Sequence, residues 1–321
     1  MSDCVSLKMY NINVHDFLEV KVGELSKKPR VAVLMATFNG EKFIRKQIES
    51  IFNQKNVNVS LYVFDDGSSD GTLIEIENWV SNGYSVHLIP RLQIKLGASQ
   101  SFFHLMRLNL SEKYVSFADQ DDIWLDNHLI QAITFIEQVE NGIVCSGRHL
   151  IDDVGSVFAR AVGIQKPLSV KNAVVENVVY GNTIVLHKDT LNRISKNLPK
   201  NPVMHDSWLY LWGSCFGKLI YLNDITVLYR IHSKNHLGVR RSLNLFKILD
   251  NQRRFMRQNR EFVNIFRDNG NKHVKAVETH INAFSGKSSM KKIKGVFGDT
   301  FYRQSALDSL FLRFLFLCFR V

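Results

Sequence analysis

The sequence predicts an α/β protein, with a mostly parallel central sheet covered by helices on both faces and a helical, basic C-terminal extension. Three observations carry this expectation. Apolar, β-prone runs alternate with helix-periodic segments through the first half of the chain, which is the pattern of successive βαβ units. The first of these runs, Val31–Thr37, reads as a buried strand. After about residue 240 the strand signals stop and only helical periodicity continues.

In chain order, "RVAVLMATFNG" reads as a buried strand, Val31–Thr37, closed by a turn at Asn39-Gly40. A helix follows with Ile44, Ile48, Ile51 and Phe52 on one face. "VSLYVFDDGSSDGTLIEIENWV" repeats the plan: strand Val59–Phe64, an Asp/Gly/Ser loop, then a helix around Leu73–Trp79. "YSVHLIP" is a third strand and "ASQSFFHLMRLNL" a helix. Tyr114–Ala118 is a fourth strand, followed by a helix over Leu129–Val139. The second half is more mixed. "GNTIVLHKDTL" is a strand after a glycine turn, running into a helix. "MHDSWLYLWGSCFG" is a short aromatic helix, and "ITVLYRIHSKN" a strand. Beyond it, Leu245, Ile248, Leu249, Phe255, Met256, Phe262, Val263 and Phe266 form a helical stripe, with Arg253, Arg254, Arg257 and Arg260 mostly off it.

The chain has 321 residues and is 45% hydrophobic with 5 prolines, a composition with ample core and no disorder signature. Met1 to Lys28 lacks the apolar run of a signal peptide. The four cysteines, Cys4, Cys145, Cys215 and Cys318, are scattered without a CxxC pair, which indicates reduced thiols rather than a zinc site or disulfide frame. Residues 236–321 hold 17 Lys+Arg and 6 Asp+Glu, so the whole net charge of +11 lies there and the remainder is neutral. A neutral body with a basic tail is expected, not a uniformly basic nucleic-acid binder. The final "LDSLFLRFLFLCFRV" is far shorter than the roughly 20 apolar residues of a membrane span. It suits a membrane interface, its arginines reaching anionic headgroups, or else docking on the catalytic domain or a second subunit.

Ligands of parallel α/β sheets bind at the carboxyl ends of the strands, and three such ends carry polar signals: Thr37-Phe38-Asn39, Asp65-Asp66 and Asp119–Asp122. In "YVSFADQDDIWLD" a buried-looking strand stops on Asp119, Asp121 and Asp122. Two carboxylates about 5 Å apart repel by roughly 3 kcal/mol at an effective dielectric near 20. A solvated turn screens most of that repulsion. Alternatively a hard cation such as Mg²⁺ or Mn²⁺ lies against the carboxylates together with substrate phosphates. An EF-hand is excluded, because the sixth and twelfth positions from Asp119 are Trp124 and Ile130.

The strand and turn "VAVLMATFNGEKFI", then "DDGSSDGT", then "DQDD" closely resemble family 2 glycosyltransferases of the GT-A (nucleotide-diphospho-sugar transferase) fold. "FADQDDIW" followed by "GNTIVL", "MHDSW" and "LYRIHSKN" resembles in particular the bacterial rhamnosyltransferase branch. The resemblance implies an N-terminal extension over 1–29, a GT-A domain over 30–238 and a basic amphipathic helical region over 239–321. It also implies site roles. Thr37, Phe38 and Asn39 line the nucleotide pocket. Asp65 or Asp66 holds the base, with Asp66 the first choice. Asp121 is the principal ligand of Mg²⁺ or Mn²⁺ bridging the diphosphate, Asp119 contacts ribose or metal, and Asp122 is accessory. His232 completes the metal site. Gly97 matches the loop after the third strand, although Lys95 departs from the family's pattern. Gly181 and Asn182 match the glycine loop facing donor sugar and acceptor, Asn182 standing where relatives often have Cys. Arg230 adds positive charge near the phosphates, and Asp206 is the catalytic base.

The reaction so implied is an inverting, metal-dependent transfer of L-rhamnose from dTDP-L-rhamnose. The acceptor is a lipid-linked O-antigen or capsule precursor at the cytoplasmic face of the inner membrane, contacted through the C-terminal region, and no nucleic-acid partner is expected. The alternatives are another nucleotide sugar such as a UDP-hexose or, from a different class, a basic non-catalytic scaffold binding membrane or nucleic acid. A haloacid-dehalogenase-like phosphatase would leave Asp65-Asp66 and Asp206 without a role. A Rossmann oxidoreductase lacks its GxGxxG.

Overall fold

The computed structural model describes residues 27–160, 163–232, 245–285, 293, 295–296 and 298–318. Almost all of the expected 1–29 extension, together with Cys4, Ser233-Lys234-Asn235, Gly238 and Arg320, lies outside them. The chain divides into two compact units that interleave in sequence. The first comprises Met1–Gly163, Tyr180–Lys196 and Lys218–Gly238; the second comprises Ile164–Val179, Asn197–Gly217 and Val239–Val321.

The first unit is built on one sheet of nine described strands. They are β1 (Arg30–Thr37), β2 (Asn58–Asp65), β3 (Val86–Ile89), β4 (Tyr114–Ala118), β5 (Ile123–Trp124), β6 (Gly142–Ile151), β7 (Val157–Arg160), β8 (Val185–His187) and β9 (Lys218–Arg230), in the order β3-β2-β1-β4-β8-β6-β9-β5, with β7 paired to β6. From β3 to β4 every pairing is parallel. Val31 through Met35 are all fully buried. Successive side chains on a strand point to opposite faces, so both faces of the sheet are covered there. Helices α1 (Ile44–Phe52), α2 (Thr72–Ser81), α3 (Gly97–Leu105) and α4 (His128–Ile136) follow β1, β2, β3 and β5. Ile44, Ile48 and Ile51 of α1 are fully buried, each contributing about 1.5–3 kcal/mol.

Beyond β4 the sheet is mixed. β8 runs antiparallel to both β4 and β6, β9 runs parallel to β6, and β5 runs antiparallel to β9. β9 mixes buried positions with half-buried and exposed ones, so it is less completely covered than the strands of the parallel half. In register, Thr37 pairs with Asp65 and Met35 with Ala118. The three strand ends that carry the polar motifs therefore lie side by side, at the point where the chain order turns from β1 toward β2 on one side and β4 on the other.

The second unit is helical: α5 (Val170–Ala173), α7 (His205–Phe216), α8 (Leu245–Phe266), α9 (Lys272–Ser285) and α10 (Ala306–Cys318); α6 (Lys188–Ser195) belongs to the first unit. α8 buries Leu249, Phe255, Met256, Phe262, Val263 and Phe266 of its expected stripe. Polar residues within the stripe satisfy backbone groups, Asn259 Nδ2 donating to Val174 O (2.9 Å) and Gln258 Oε1 accepting from Val203 N (2.9 Å). α10 buries Ser309, Leu312, Leu315 and Phe316 and exposes Leu307, Leu310, Phe311, Phe314 and Leu317. Arg313 does not reach outward. Its guanidinium donates to the carbonyls of Gly298 and Phe301, both at 3.1 Å, and of Val296. No described helix is long and apolar enough to cross a membrane.

His280 is buried among Phe284, Phe301 and Phe316, and burial pushes its imidazole down to about 3. With the folded value below the unfolded one, its contribution to stability is full above about pH 6.5 and is lost as pH falls toward 3, at up to ~1.4 kcal/mol per pH unit. His280→Leu is expected to raise the thermal midpoint relative to wild type more at pH 5 than at pH 8. An equal difference at both pH values would contradict this.

Candidate active site

The loops leaving β1 and β2 are tied together by short polar side chains. Asp65 Oδ1 accepts from Gly67 N (3.0 Å) and Ser68 N (2.8 Å), while its Oδ2 accepts from Thr37 Oγ1 (3.0 Å) and Ser68 Oγ (2.5 Å). Asn39 N donates to Ser68 Oγ (2.8 Å), and Asn39 Oδ1 accepts from Ser69 N (2.8 Å). Asn39 itself has φ 48°, a left-handed conformation that Asn tolerates better than most residues. Asp66 reaches the third loop, its two oxygens accepting from Leu96 N (2.7 Å) and Gly97 N (2.8 Å). Gly97 has φ +73°, which suits glycine. Both aspartates thus organise backbone. Each oxygen of Asp66 has a second lone pair with which to meet a ligand N–H.

Phe38 stands out at this rim, 43% exposed, with Lys95 Nζ 4.2 Å from its ring centroid. Its backbone is clasped by Gln120, whose Oε1 accepts from Phe38 N (2.9 Å) and whose Nε2 donates to Phe38 O (3.0 Å). Gln120 therefore joins the β1 loop to the acidic loop after β4. Neither it nor Ser68 is singled out by sequence. The available signal was only the setting, an amide between two strand-end carboxylates and a serine beside an Asp pair.

The three carboxylates after β4 have three different environments. Asp121 Oδ2 lies 2.8 Å from His232 Nε2. Asp122 is fully buried; Arg230 N donates to its Oδ1 (3.0 Å) and Asn182 Nδ2 donates to its Oδ2. Burial first, and the neighbouring Asp121 charge second, push Asp122 up to about 7. Asp119 stands near Tyr229, where its charge adds to burial in holding the phenol above its ordinary range. The 3₁₀ turn Gly181–Thr183 before β8 carries Asn182 onto Asp122. Arg230 is buried at the end of β9 with its guanidinium directed at carbonyls: Nε donates to Asp121 O (2.8 Å), and Nη1 donates to Asp152 O (2.7 Å) and Asp153 O (3.1 Å). It builds the acidic loop from within.

Residues 32–199 match the family model described as glycosyl transferase family 2. The chain belongs to this family. The glycosyltransferase is 30% identical over 214 residues (64% of this chain, 73% of the relative) to a dTDP-rhamnosyl transferase, RfbG, of Shigella flexneri. It is 28% identical over 186 residues (57% of this chain, 68% of the relative) to the UDP-Glc:alpha-D-GlcNAc-diphosphoundecaprenol beta-1,3-glucosyltransferase WfgD of Escherichia coli. The mannosyltransferase PcManGT of Pyrobaculum calidifontis, solved with GDP-Man and Mn²⁺, superposes with a TM-score of 0.56 at 15% identity, over 91% of this chain and 75% of that one. The fold is GT-A, as expected, and the chain is an enzyme rather than a scaffold. Glycosyltransferases of this fold take a nucleotide-sugar donor and often a divalent metal.

Among the described residues of this glycosyltransferase, no group of three or more His, Cys, Asp or Glu side chains is arranged to hold a metal. The structure brings Asp121 and His232 together and does not draw Asp119 in with them. The fully buried Asp122 has both oxygens engaged. One carboxylate and one imidazole fit a Mg²⁺ or Mn²⁺ ion, since Mg²⁺ usually keeps several waters and takes substrate phosphates alongside one or two carboxylates. Asp206 lies in the second unit, in the first turn of α7, where its Oδ1 accepts from Ser207 N (2.6 Å).

Proposed function

We propose that the enzyme transfers L-rhamnose from dTDP-L-rhamnose, with inversion, to a lipid-linked surface-polysaccharide precursor. The observation that carries the reading is the pairing of Asp121 with His232 at 2.8 Å, at strand ends of a chain similar to a dTDP-rhamnosyl transferase. In one displacement, a bond forms between the acceptor oxygen and the anomeric carbon as the bond to the diphosphate oxygen breaks. Asp206 takes the proton of the acceptor hydroxyl. Asp121 and His232 hold the divalent metal, and the chemistry it supplies when bound is neutralisation of charge on the departing diphosphate. The rim formed by Phe38, Asn39 and the Asp65-Asp66 loop receives the nucleotide. A lipid-linked acceptor is supported by the diphosphoundecaprenol substrate in the name of the similar Escherichia coli enzyme. Work at the inner face of the cytoplasmic membrane accords with the exposed apolar face of α10 and the basic C-terminal quarter. A UDP-hexose is the second donor reading, favoured by the UDP-Glc named for that same relative.

The test is calorimetric binding of dTDP-rhamnose, UDP-glucose, UDP-galactose and GDP-mannose, with Mn²⁺ and then with EDTA. Binding of the dTDP sugar alone, lost with EDTA, is the expected result. Metal-dependent binding of a different sugar nucleotide would overturn rhamnose as the donor, and metal-independent binding would remove the role given to Asp121 and His232.

A further inference from the structure

Arg148 lies on β6, where the pairing with β9 slips at Ser146/Gly147 and again at Gly147/Arg148. The irregularity re-aims the strand locally and sets the guanidinium between two rings: its central carbon is 3.4 Å from the ring centroid of Tyr180 and 4.1 Å from that of Tyr229. Both rings are anchored beside the acidic loop. Tyr180 directly precedes the Gly181–Thr183 turn that carries Asn182 onto Asp122, and Tyr229 directly precedes Arg230. The Nε of Arg148 is buried without a hydrogen-bond partner, while its positive charge acts on the buried Asp122 carboxylate and favours the ionised form. The other cations of the region are engaged. Arg230 is committed to carbonyls of residues 121, 152 and 153, and Lys42 to Asp153.

A buried guanidinium donor without an acceptor is disfavoured, and the side chain has already lost its rotamer freedom to the two rings. That is the condition of a group organised for a ligand rather than for the fold. The planar fork matches the paired oxygens of a phosphate and stacks on aromatic faces while doing so. We infer that Arg148 is the anion-binding arginine of the active site and takes phosphate oxygens of a bound diphosphate. The inference rests on the diphosphate chemistry proposed above but not on the identity of the sugar. Two sources supply the same chemistry, the diphosphate of the nucleotide and the diphosphate of a lipid-linked acceptor.

The experiment compares wild type, Arg148→Gln and Arg148→Lys by calorimetry against dTDP, UDP and GDP, and separately against farnesyl diphosphate. Thermal unfolding of each protein is recorded alongside. The expected result is a tenfold or greater loss of affinity in Arg148→Gln for one class of diphosphate, with the other class unchanged, the unfolding midpoint close to wild type and partial recovery in Arg148→Lys. The class that loses affinity identifies the source. Wild-type affinity of Arg148→Gln for both classes, with a lowered midpoint, would make Arg148 a stacking cation of the fold and overturn the inference, as would wild-type protein that binds neither class. Failure of the rhamnose reading is separately visible, since it shows in which nucleotide binds and not in the effect of Arg148.

Discussion

Asp121→Asn is expected to lower kcat/KM by about 10³-fold, in the range seen when one charge-stabilising group is removed from an active site, while leaving the fold intact. The amide has the size of the carboxylate and still hydrogen-bonds His232 Nε2, which lies 2.8 Å from Asp121 Oδ2 in the wild type. The Nε donation of Arg230 goes to the backbone oxygen of residue 121 and is unaffected by the side chain. What disappears is the negative charge that, in the proposed function, faces a dication. The substitution also relieves the repulsion that helps push Asp122 up to about 7, so the unfolding midpoint holds or rises. A Mn²⁺ titration of initial rate checks this: the variant should need far more metal. Unchanged rate and metal requirement would take Asp121 out of the metal site.

Asp206→Asn is expected to lower kcat by about 10²–10⁴-fold, the contribution of a positioned general base, with donor affinity unchanged. Asn keeps the size of Asp and its Oδ1 can accept from Ser207 N as Asp206 does now (2.6 Å), the lost charge–dipole interaction in the first turn costing only about 0.3–1 kcal/mol. The start of α7 therefore persists, and any loss is chemical. The separation to look for in steady-state kinetics is a fall in kcat with an unaltered KM for the donor. A variant that turns over at the wild-type rate would return Asp206 to the role of a helix-end residue.

The strands of the parallel half were legible because each is a single local run. Val31–Met35 and Tyr114–Ala118 are apolar at every position or nearly so, and both are wholly buried, leaving no competing period. β6 was not legible. Gly147, Arg148 and His149 interrupt its apolar run, its partners β8 and β9 are distant in sequence, and its slipped register with β9 has no sequence signature. Arg230 shows a different limit. Its sequence position suggested a charge for the phosphates, whereas its guanidinium donates to three carbonyls, those of residues 121, 152 and 153, which no pattern of residue types reports. The convergence of Thr37, Asp65 and Asp119–Asp122 was readable because strand ends of a parallel sheet share one edge. The division of labour within the acidic loop was not, since it depends on whether a carboxylate meets Asn182, a backbone N–H or an imidazole.

Among the described strands, β5, which leads the acidic loop back into the sheet, pairs only with β9, and Asp121 and His232 are separated by 111 residues of chain. At the synthesis rate of about 5–20 residues per second, a ribosome that has just made Asp121 works for roughly 5–20 seconds before it supplies the histidine. During that interval β1 to β4 can already pair, while the acidic loop has neither its strand partner nor Arg230 to shape it. A nascent chain stopped before Lys218 contains β1 to β4 but lacks β9, the strand that pairs with β5 and ends on Arg230. Arg230 and His232, which contact the acidic loop, are thus among the last residues of the first unit to be made.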